Sequence, residues 1–319
     1  MSGPAPAGPG GPRAGSNAGG VPEARARGDG GPTVFFLSDY GLRDGFVGVV
    51  HAVLRRLVPD AVVVDLTHEV PPFDVRAGSE ALLRAVSHLG SGVVLGVVDP
   101  GVGGPRRGVA IEAAGDPDRS LAFVGPDNGL LLPAAEAAGL IGAVAELPQA
   151  PEASATFDGR DVFAPAVVAL CSGTPVGELG PALPPDELVR VPAPVCEIRR
   201  AGAGGRVIRA EVTWVDRFGN VQLAVPGDAV PESVPGLTAA PEPAGAGRGA
   251  GSATLGSGPS AVGWATPEPV SRVRAFADLA PGEVGLLVDA NGRLALVVRE
   301  GSAALRLGVG TGDLVTLTW

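Results

Sequence analysis

Gly92-Val93-Val94-Leu95-Gly96-Val97-Val98-Asp99-Pro100-Gly101-Val102-Gly103-Gly104-Pro105-Arg106-Arg107 decides the reading of this chain. An apolar run with no polar alternation ends on a carboxylate, and a turn of Pro and Gly follows. A run of this kind reads as a strand buried in a sheet. Enzymes of the α/β class build sites where such a strand delivers a side chain to the carboxyl edge. The glycines let backbone approach a ligand closely, and Arg106, folding back, holds Asp99 ionised. The plain alternative is a β-turn with a surface Arg–Asp pair.

Three more segments repeat this grammar. They are Phe35-Phe36-Leu37-Ser38-Asp39-Tyr40-Gly41-Leu42-Arg43-Asp44-Gly45, Val62-Val63-Val64-Asp65-Leu66-Thr67-His68 and Leu121-Ala122-Phe123-Val124-Gly125-Pro126-Asp127-Asn128-Gly129. Together they predict one sheet edge lined with carboxylates, suited to a polyhydroxyl, cationic or metal-bound ligand. Between them lie helical patterns. Residues 46–57 carry a helical apolar period stopped by Pro59, and Asp74 is placed to cap the helix through 81–86. Segments 130–138 and 162–170 read as further helices. The alternation predicts an α/β fold with a mostly parallel sheet and helices on both faces.

After Pro192 the texture changes. Segments 195–199, 207–215, 221–225, 284–288, 294–298 and 314–318 read as short strands, with 201–205 as a turn. Their close spacing predicts a small C-terminal β-barrel or sandwich. The expected organisation is a disordered tail at 1–31, an α/β domain at 32–191 and a barrel domain at 192–319. A Pro/Gly-rich insertion interrupts the barrel at about 231–269, with Trp264 as an anchor.

Composition narrows the function. The 319 residues carry a formal charge of −10 and no lysine, which argues against nucleic acid. No apolar run approaches a membrane span, and the start lacks the apolar core of a secretory signal, so a cytoplasmic protein is expected. Cys171 and Cys196 read as buried free thiols. There is no CxxC, and the histidines are only His51, His68 and His88, so no metal site is expected.

The ordered motifs Ser38-Asp39-Tyr40-Gly41, Asp65-Leu66-Thr67-His68-Glu69-Val70-Pro71-Pro72-Phe73-Asp74, Asp99-Pro100-Gly101-Val102-Gly103, Gly125-Pro126-Asp127-Asn128-Gly129, Thr156-Phe157-Asp158-Gly159-Arg160-Asp161 and Phe218-Gly219-Asn220 go further. With them the chain resembles the S-adenosylmethionine hydroxide adenosyltransferases, relatives of the S-adenosylmethionine-dependent fluorinase and chlorinase. The resemblance implies a homotrimer with sites between the N-terminal domain of one subunit and the C-terminal domain of the next. It implies displacement of L-methionine from C5′ of S-adenosylmethionine by water or hydroxide, giving adenosine, with no cofactor.

By the same resemblance, Asp39 holds the ribose hydroxyls, which suits a bidentate carboxylate. Asp44 and Asp216 match positions near the methionine ammonium and polar tail. Phe73 and Phe218 match the aromatic walls of the nucleoside pocket, Asn220 meets the adenine edge, and the Arg299-Glu300-Gly301-Ser302 segment offers its backbone there. Asp99 and Arg106 match two members of an Asp–Arg–His set that positions water. The third member departs from the family: Asp158 stands where the hydroxide-type relatives carry His. An ordinary Asp ionises near pH ~3.9 and His near ~6.5, so Asp158 is the weaker base unless its surroundings or Asp99 change that. The alternatives from the residues are an adenosine-binding homologue without turnover, a halogenase, and a metal-dependent hydrolase using the row of aspartates.

Overall fold

The computed structural model describes Gly3 and residues 31–115, 119–149, 152–242 and 266–319. The expected tail falls almost wholly outside the described residues.

The first sheet contains β1 (Thr33–Ser38), β2 (Val62–Thr67), β3 (Gly92–Val97), β4 (Gly108–Ala114), β5 (Leu121–Pro126) and β6 (Leu140–Leu147), in the order β2-β1-β3-β5-β4-β6. Strands β1, β2, β3 and β5 pair in parallel. Their carboxyl ends therefore lie together; Asp39, Asp99 and Asp127 follow β1, β3 and β5, and Asp65 lies within β2 near its end. Strand β4, antiparallel to β5 and β6, departs from the expected alternation. The reason is length: residues 98–107 between β3 and β4 are too few for a parallel crossover. The chain turns back instead, which brings Arg106 and Arg107 to the same edge.

Helices cover both faces because the central strands are apolar on both. Phe35 and Leu37 pack with α2 (Val75–Val86) and α3 (Leu132–Ala138), in a core with Leu82, Leu131 and Phe123. Val34 and Phe36 point the other way, toward α1 (Phe46–Leu57) and α4 (Ala164–Cys171), in a core with Leu54, Phe163 and Val167. The Asp74 carboxylate accepts a hydrogen bond from the Ala77 N–H at 2.9 Å and caps α2 as expected. A π-helical turn, Gly159–Phe163, precedes α4.

The second sheet contains β7 (Cys196–Arg200), β8 (Arg206–Val215), β9 (Val221–Pro226), β10 (Thr238–Pro241), β11 (Glu268–Pro269), β12 (Ser271–Arg272), β13 (Val284–Val288), β14 (Arg293–Val298) and β15 (Leu314–Thr318), with helix α5 (Ala303–Leu307) between the last two. Its path, β11-β10-β15-β8-β9-β14-β13-β12, begins and ends on neighbouring pieces of one segment, so the sheet curls almost closed. Ile208, Val212, Leu223, Leu296 and Leu317 fill its interior.

The insertion is narrower than the composition suggests. Residues 238–241 pair with β15 and 268–269 pair with β10; 243–265, Trp264 included, lie outside the described residues. A second correction concerns the thiols: Cys171 is buried, but Cys196, on the outer strand β7, is exposed.

Three residues on one face of α2 dock the barrel, spaced four apart as helix geometry requires. Arg76 pairs with Glu211 at 2.8 Å, Glu80 with Arg293 at 3.0 Å, and the Arg84 guanidinium lies 4.3 Å from the Trp214 ring centre.

Candidate active site

Arg106 is the hub of the carboxyl edge. Its Nε donates to Asp99 Oδ1 at 3.0 Å, and its Nη2 donates both to Asp99 Oδ2 and to Asp158 Oδ2. The side chains of Asp99 and Asp158 are almost fully buried, that of Asp158 only 1% exposed. Burial works against the Arg106 charge, but the two carboxylates outweigh it and hold the guanidinium above its usual range. Gln149 Nε2 donates to the Asp158 oxygen that Arg106 also holds, at 3.3 Å. Asp158 Oδ1, buried, has no hydrogen-bond partner among the described residues. One cation thus binds two carboxylates and leaves one buried oxygen free to accept a hydrogen bond.

Asp39 directly follows β1 on the same edge. Its Oδ2 accepts the Phe73 backbone N–H at 2.9 Å. Burial raises the Asp39 carboxyl above the usual carboxylate range; the Phe73 N–H opposes this and the Asp99 charge adds to it. Phe73 sits at φ 68° and is 72% exposed. A bulky residue in the left-handed region is strained, and such strain collects at ligand-binding sites.

The barrel residues form a second group. Asp216 Oδ1 accepts the N–H groups of Phe218 and Asn220, both at 2.9 Å, and its Oδ2 accepts Asn220 Nδ2 at 2.7 Å. Asp216 therefore organises a turn that presents Phe218, 70% exposed. This turn packs tightly on the 300–302 segment: a Cβ on Gly219, at φ +83°, would lie 2.0 Å from Ser302 Oγ. Gly219 also accepts the Ala304 N–H at 2.9 Å. Glu300, at φ 58°, joins Phe73 as a non-glycine residue in the left-handed region. The Arg299 guanidinium donates to the Leu279 carbonyl at 2.7 Å, while the Gly301 N–H bonds the Val298 carbonyl at 3.3 Å.

The predicted residues thus gather in two groups, Asp39–Phe73–Asp99–Arg106–Asp158 on the first sheet and Asp216–Phe218–Asn220 with Arg299–Gly301 on the barrel. Among the described residues, no hydrogen bond or ion pair joins the groups. Asp44 stands exposed in the loop before α1.

The family model of the S-adenosylmethionine hydroxide adenosyltransferase N-terminal domain matches residues 34–180, and that of the C-terminal domain matches 210–316. The chain belongs to this family. A relative from Salinispora tropica, named (R)-S-adenosyl-L-methionine hydrolase, is 43% identical over 291 residues, covering 90% of this chain and 98% of that protein. A fluorinase from an Actinoplanes species is 28% identical over 218 residues, covering 60% of this chain and 71% of the fluorinase. The crystal structure of an uncharacterized conserved protein from Thermotoga maritima superposes with a TM-score of 0.72 at 30% identity, covering 89% of this chain and 99% of that one.

Within this member of the family, the strand-end aspartates divide. Asp127 is clamped by Arg107 at 2.7 Å and by the Val189 N–H at 2.9 Å, which ties the segment before β7 to the end of β5. Asp65 faces two imidazoles: His51 Nε2 lies 2.8 Å and His68 Nε2 3.1 Å from its Oδ1. Residue spacing showed no such His–carboxylate cluster. The parallel pairing of β2 with β1 and the packing of α1 create it.

Two further site residues escaped the sequence. Gln149, just after β6, gave no signal because its contact with Asp158 depends on the π-helical turn. Tyr40 lay in a quoted motif without a role. Its ring stacks edge-on with Phe157 at 5.9 Å and packs near Phe46 at 5.5 Å. Burial raises its phenol far above the usual range, and Asp39, Asp99 and Asp158 push it further, so it remains a neutral donor. A Cβ at position 159 would come within 2.1 Å of the Tyr40 hydroxyl, which explains glycine there.

Proposed function

We propose that this chain is an (R)-S-adenosyl-L-methionine hydrolase that forms adenosine and L-methionine. The observation that carries the reading is Arg106 bound between Asp99 and Asp158, with Asp158 Oδ1 left as a buried acceptor. A sulfonium is already a good leaving group, so the protein's task is to align water and exclude bulk solvent. The water oxygen forms its bond to C5′ as the C5′–S bond breaks. The bonding pair goes to sulfur, which leaves as the neutral thioether of methionine. The water proton passes to the Asp99–Asp158 pair. Asp39 holds the ribose, with Phe73 and Phe218 against the nucleoside and Asn220, Arg299 and Gly301 on its adenine side. Asp44 meets the methionine tail, and Asp216 positions Phe218 and Asn220. A halide is disfavoured, because a carboxylate beside the nucleophile position repels it.

Incubation with each sulfonium epimer, with and without chloride, followed by chromatography tests this reading. Adenosine from the (R) epimer is expected, and 5′-chloro-5′-deoxyadenosine would replace the hydrolase by a halogenase. Asp158→His should raise adenosine formation at about pH 7–8, since imidazole titrates near neutrality. If Asp158→His lowers the rate and Asp158→Asn abolishes it, Asp158 is an effective base in its own right. If parent and variants make adenosine from neither epimer, the chain is a nucleoside-binding homologue.

We also propose a cytoplasmic homotrimer whose site is completed by a neighbouring chain. Three observations support it. The walls Phe73 and Phe218 are exposed, the two residue groups make no mutual hydrogen bonds among the described residues, and Phe46, Val49, Leu57, Val62 and Val64 leave an apolar surface on α1 and edge strand β2. Heterologous contacts closing on a threefold axis would form three equivalent sites. Light scattering should return a trimer; a monomer fully active at high dilution would exclude it. The described residues include no helix long and apolar enough to cross a membrane.

A further inference from the structure

We propose that His51, Asp65 and His68 form a binding site for a divalent transition-metal ion of the zinc class, separate from the reaction centre and bracing the floor beneath Asp39. The Nε2 atoms of both histidines and an Asp65 carboxylate oxygen all lie within 4.8 Å of one another. Tetrahedral ligands at about 2.0–2.2 Å from zinc stand about 3.3 Å apart, so modest side-chain rotation brings the three into a first coordination set.

The state of His68 points to a ligand rather than to a simple ion pair. Its side chain is 3% exposed, and its Nε2, although 3.1 Å from Asp65 Oδ1, has no well-aligned hydrogen-bond partner among the described residues. A buried imidazole nitrogen beside a carboxylate but poorly aligned with it is costly unless a better partner completes it. The far nitrogen is already engaged: Nδ1 lies 2.8 Å from the Oγ of the fully buried Ser38. Ser38 Oγ also accepts the Tyr40 N–H at 3.3 Å. Metal-bound histidines characteristically donate from the nitrogen away from the ion, which fixes the tautomer and turns the other lone pair to the metal. His51 and Asp65 are 35% and 42% exposed, which gives an ion a path in and leaves room for water as a further ligand. Two imidazoles and one carboxylate favour zinc, iron, cobalt or nickel over magnesium or calcium.

The position gives the site its consequence. His51 lies on α1 and Asp65 on β2, with His68 just beyond that strand, so an ion ties the helix to the edge strand. The His68 carbonyl accepts the Gly41 N–H at 2.7 Å, and its ring packs edge-on against Phe36 at 4.6 Å. Bracing His68 therefore braces the Asp39–Gly41 loop.

The test uses the full chain, stripped with chelator and titrated with Co²⁺ alone and then Zn²⁺ alone. One equivalent per chain is expected, with visible d–d bands that Zn²⁺ displaces and a Zn²⁺-dependent rise in melting temperature. Because His68 is buried, the variants are His51→Asn and Asp65→Asn. Each should weaken binding at least tenfold and remove the thermal shift, while His51→Asn leaves the basal rate of the metal-free protein unchanged. Absence of saturable binding overturns the proposal. So does binding that survives both variants, or a thiolate charge-transfer band placing the ion on a cysteine. None of these readouts depends on which reaction the protein catalyses.

Discussion

Asp99→Asn is expected to lower adenosine formation by about 10²–10⁴, the range for loss of a positioned acid–base group. Nucleoside affinity should change little, because Asp99 bonds Arg106 and not the residues assigned to the ribose and base. The companion change, Arg106→Met, is expected to be worse for the fold. It removes the cation from between two nearly buried carboxylates. Breaking a buried ion pair from one side costs about 3–5 kcal/mol, far more than the same change at an exposed pair. Denaturant unfolding should show the midpoint of Arg106→Met well below that of Asp99→Asn. Turnover of Asp99→Asn within threefold of the parent would remove Asp99 from the mechanism. An unchanged midpoint in Arg106→Met would mean that the bridge contributes no stability.

Asp39→Asn is expected to separate binding from stability. Two hydrogen bonds from ribose to a charged acceptor are worth about 1.5–3 kcal/mol each, so adenosine affinity should fall by about a hundredfold or more. The fold should not suffer. Burial raises the Asp39 carboxyl, so its favourable contribution is fully present below the unfolded value near pH ~3.9 and is lost as pH rises through the folded one. At neutral pH the ionised form costs stability. The amide oxygen of Asn can still accept the Phe73 N–H, so the unfolding midpoint should hold or rise. In the parent, calorimetry should show adenosine binding weakening as pH falls through the raised Asp39 value, where the acceptor is protonated. Unchanged affinity in Asp39→Asn would leave Asp39 as a holder of the strained Phe73 backbone only.

Asp39 and Asp99 are legible in the sequence for a local reason. Asp39 and Asp99 follow uninterrupted apolar runs, and a strand buried on both faces leaves few other places for its terminal carboxylate. Arg106 follows within a short Gly/Pro turn, so its return to Asp99 is a matter of chain length. Asp74 capped its helix for the same kind of reason. Local reasoning failed where a contact joined distant segments. Gln149 meets Asp158 at the start of a π-helical turn, a geometry that no apolar periodicity announces. Asp127 has the same strand-end grammar as Asp99, yet Arg107 and the Val189 N–H hold it, whereas Asp99 shares Arg106 with Asp158. Adjacent arginines at the start of β4 point to different carboxylates, a choice that strand direction makes.

The sequence by itself determined the parallel-rich sheet, the barrel strands, and a carboxyl edge bearing Asp39, Asp99 and Arg106. Apolar periodicity and short-turn geometry act over a few residues and are written directly in the chain. Only the tertiary structure decided which carboxylates each arginine binds: Arg106 takes Asp99 and Asp158, and Arg107 takes Asp127. It alone placed Phe73 and Glu300 in strained backbone and brought the Tyr40 phenol under the charges of Asp39, Asp99 and Asp158. It also drew His51 to Asp65 and His68. These outcomes depend on pairing register and helix docking between segments far apart in the chain, where burial and charge compensation are settled by the whole assembly of neighbours rather than by any one stretch.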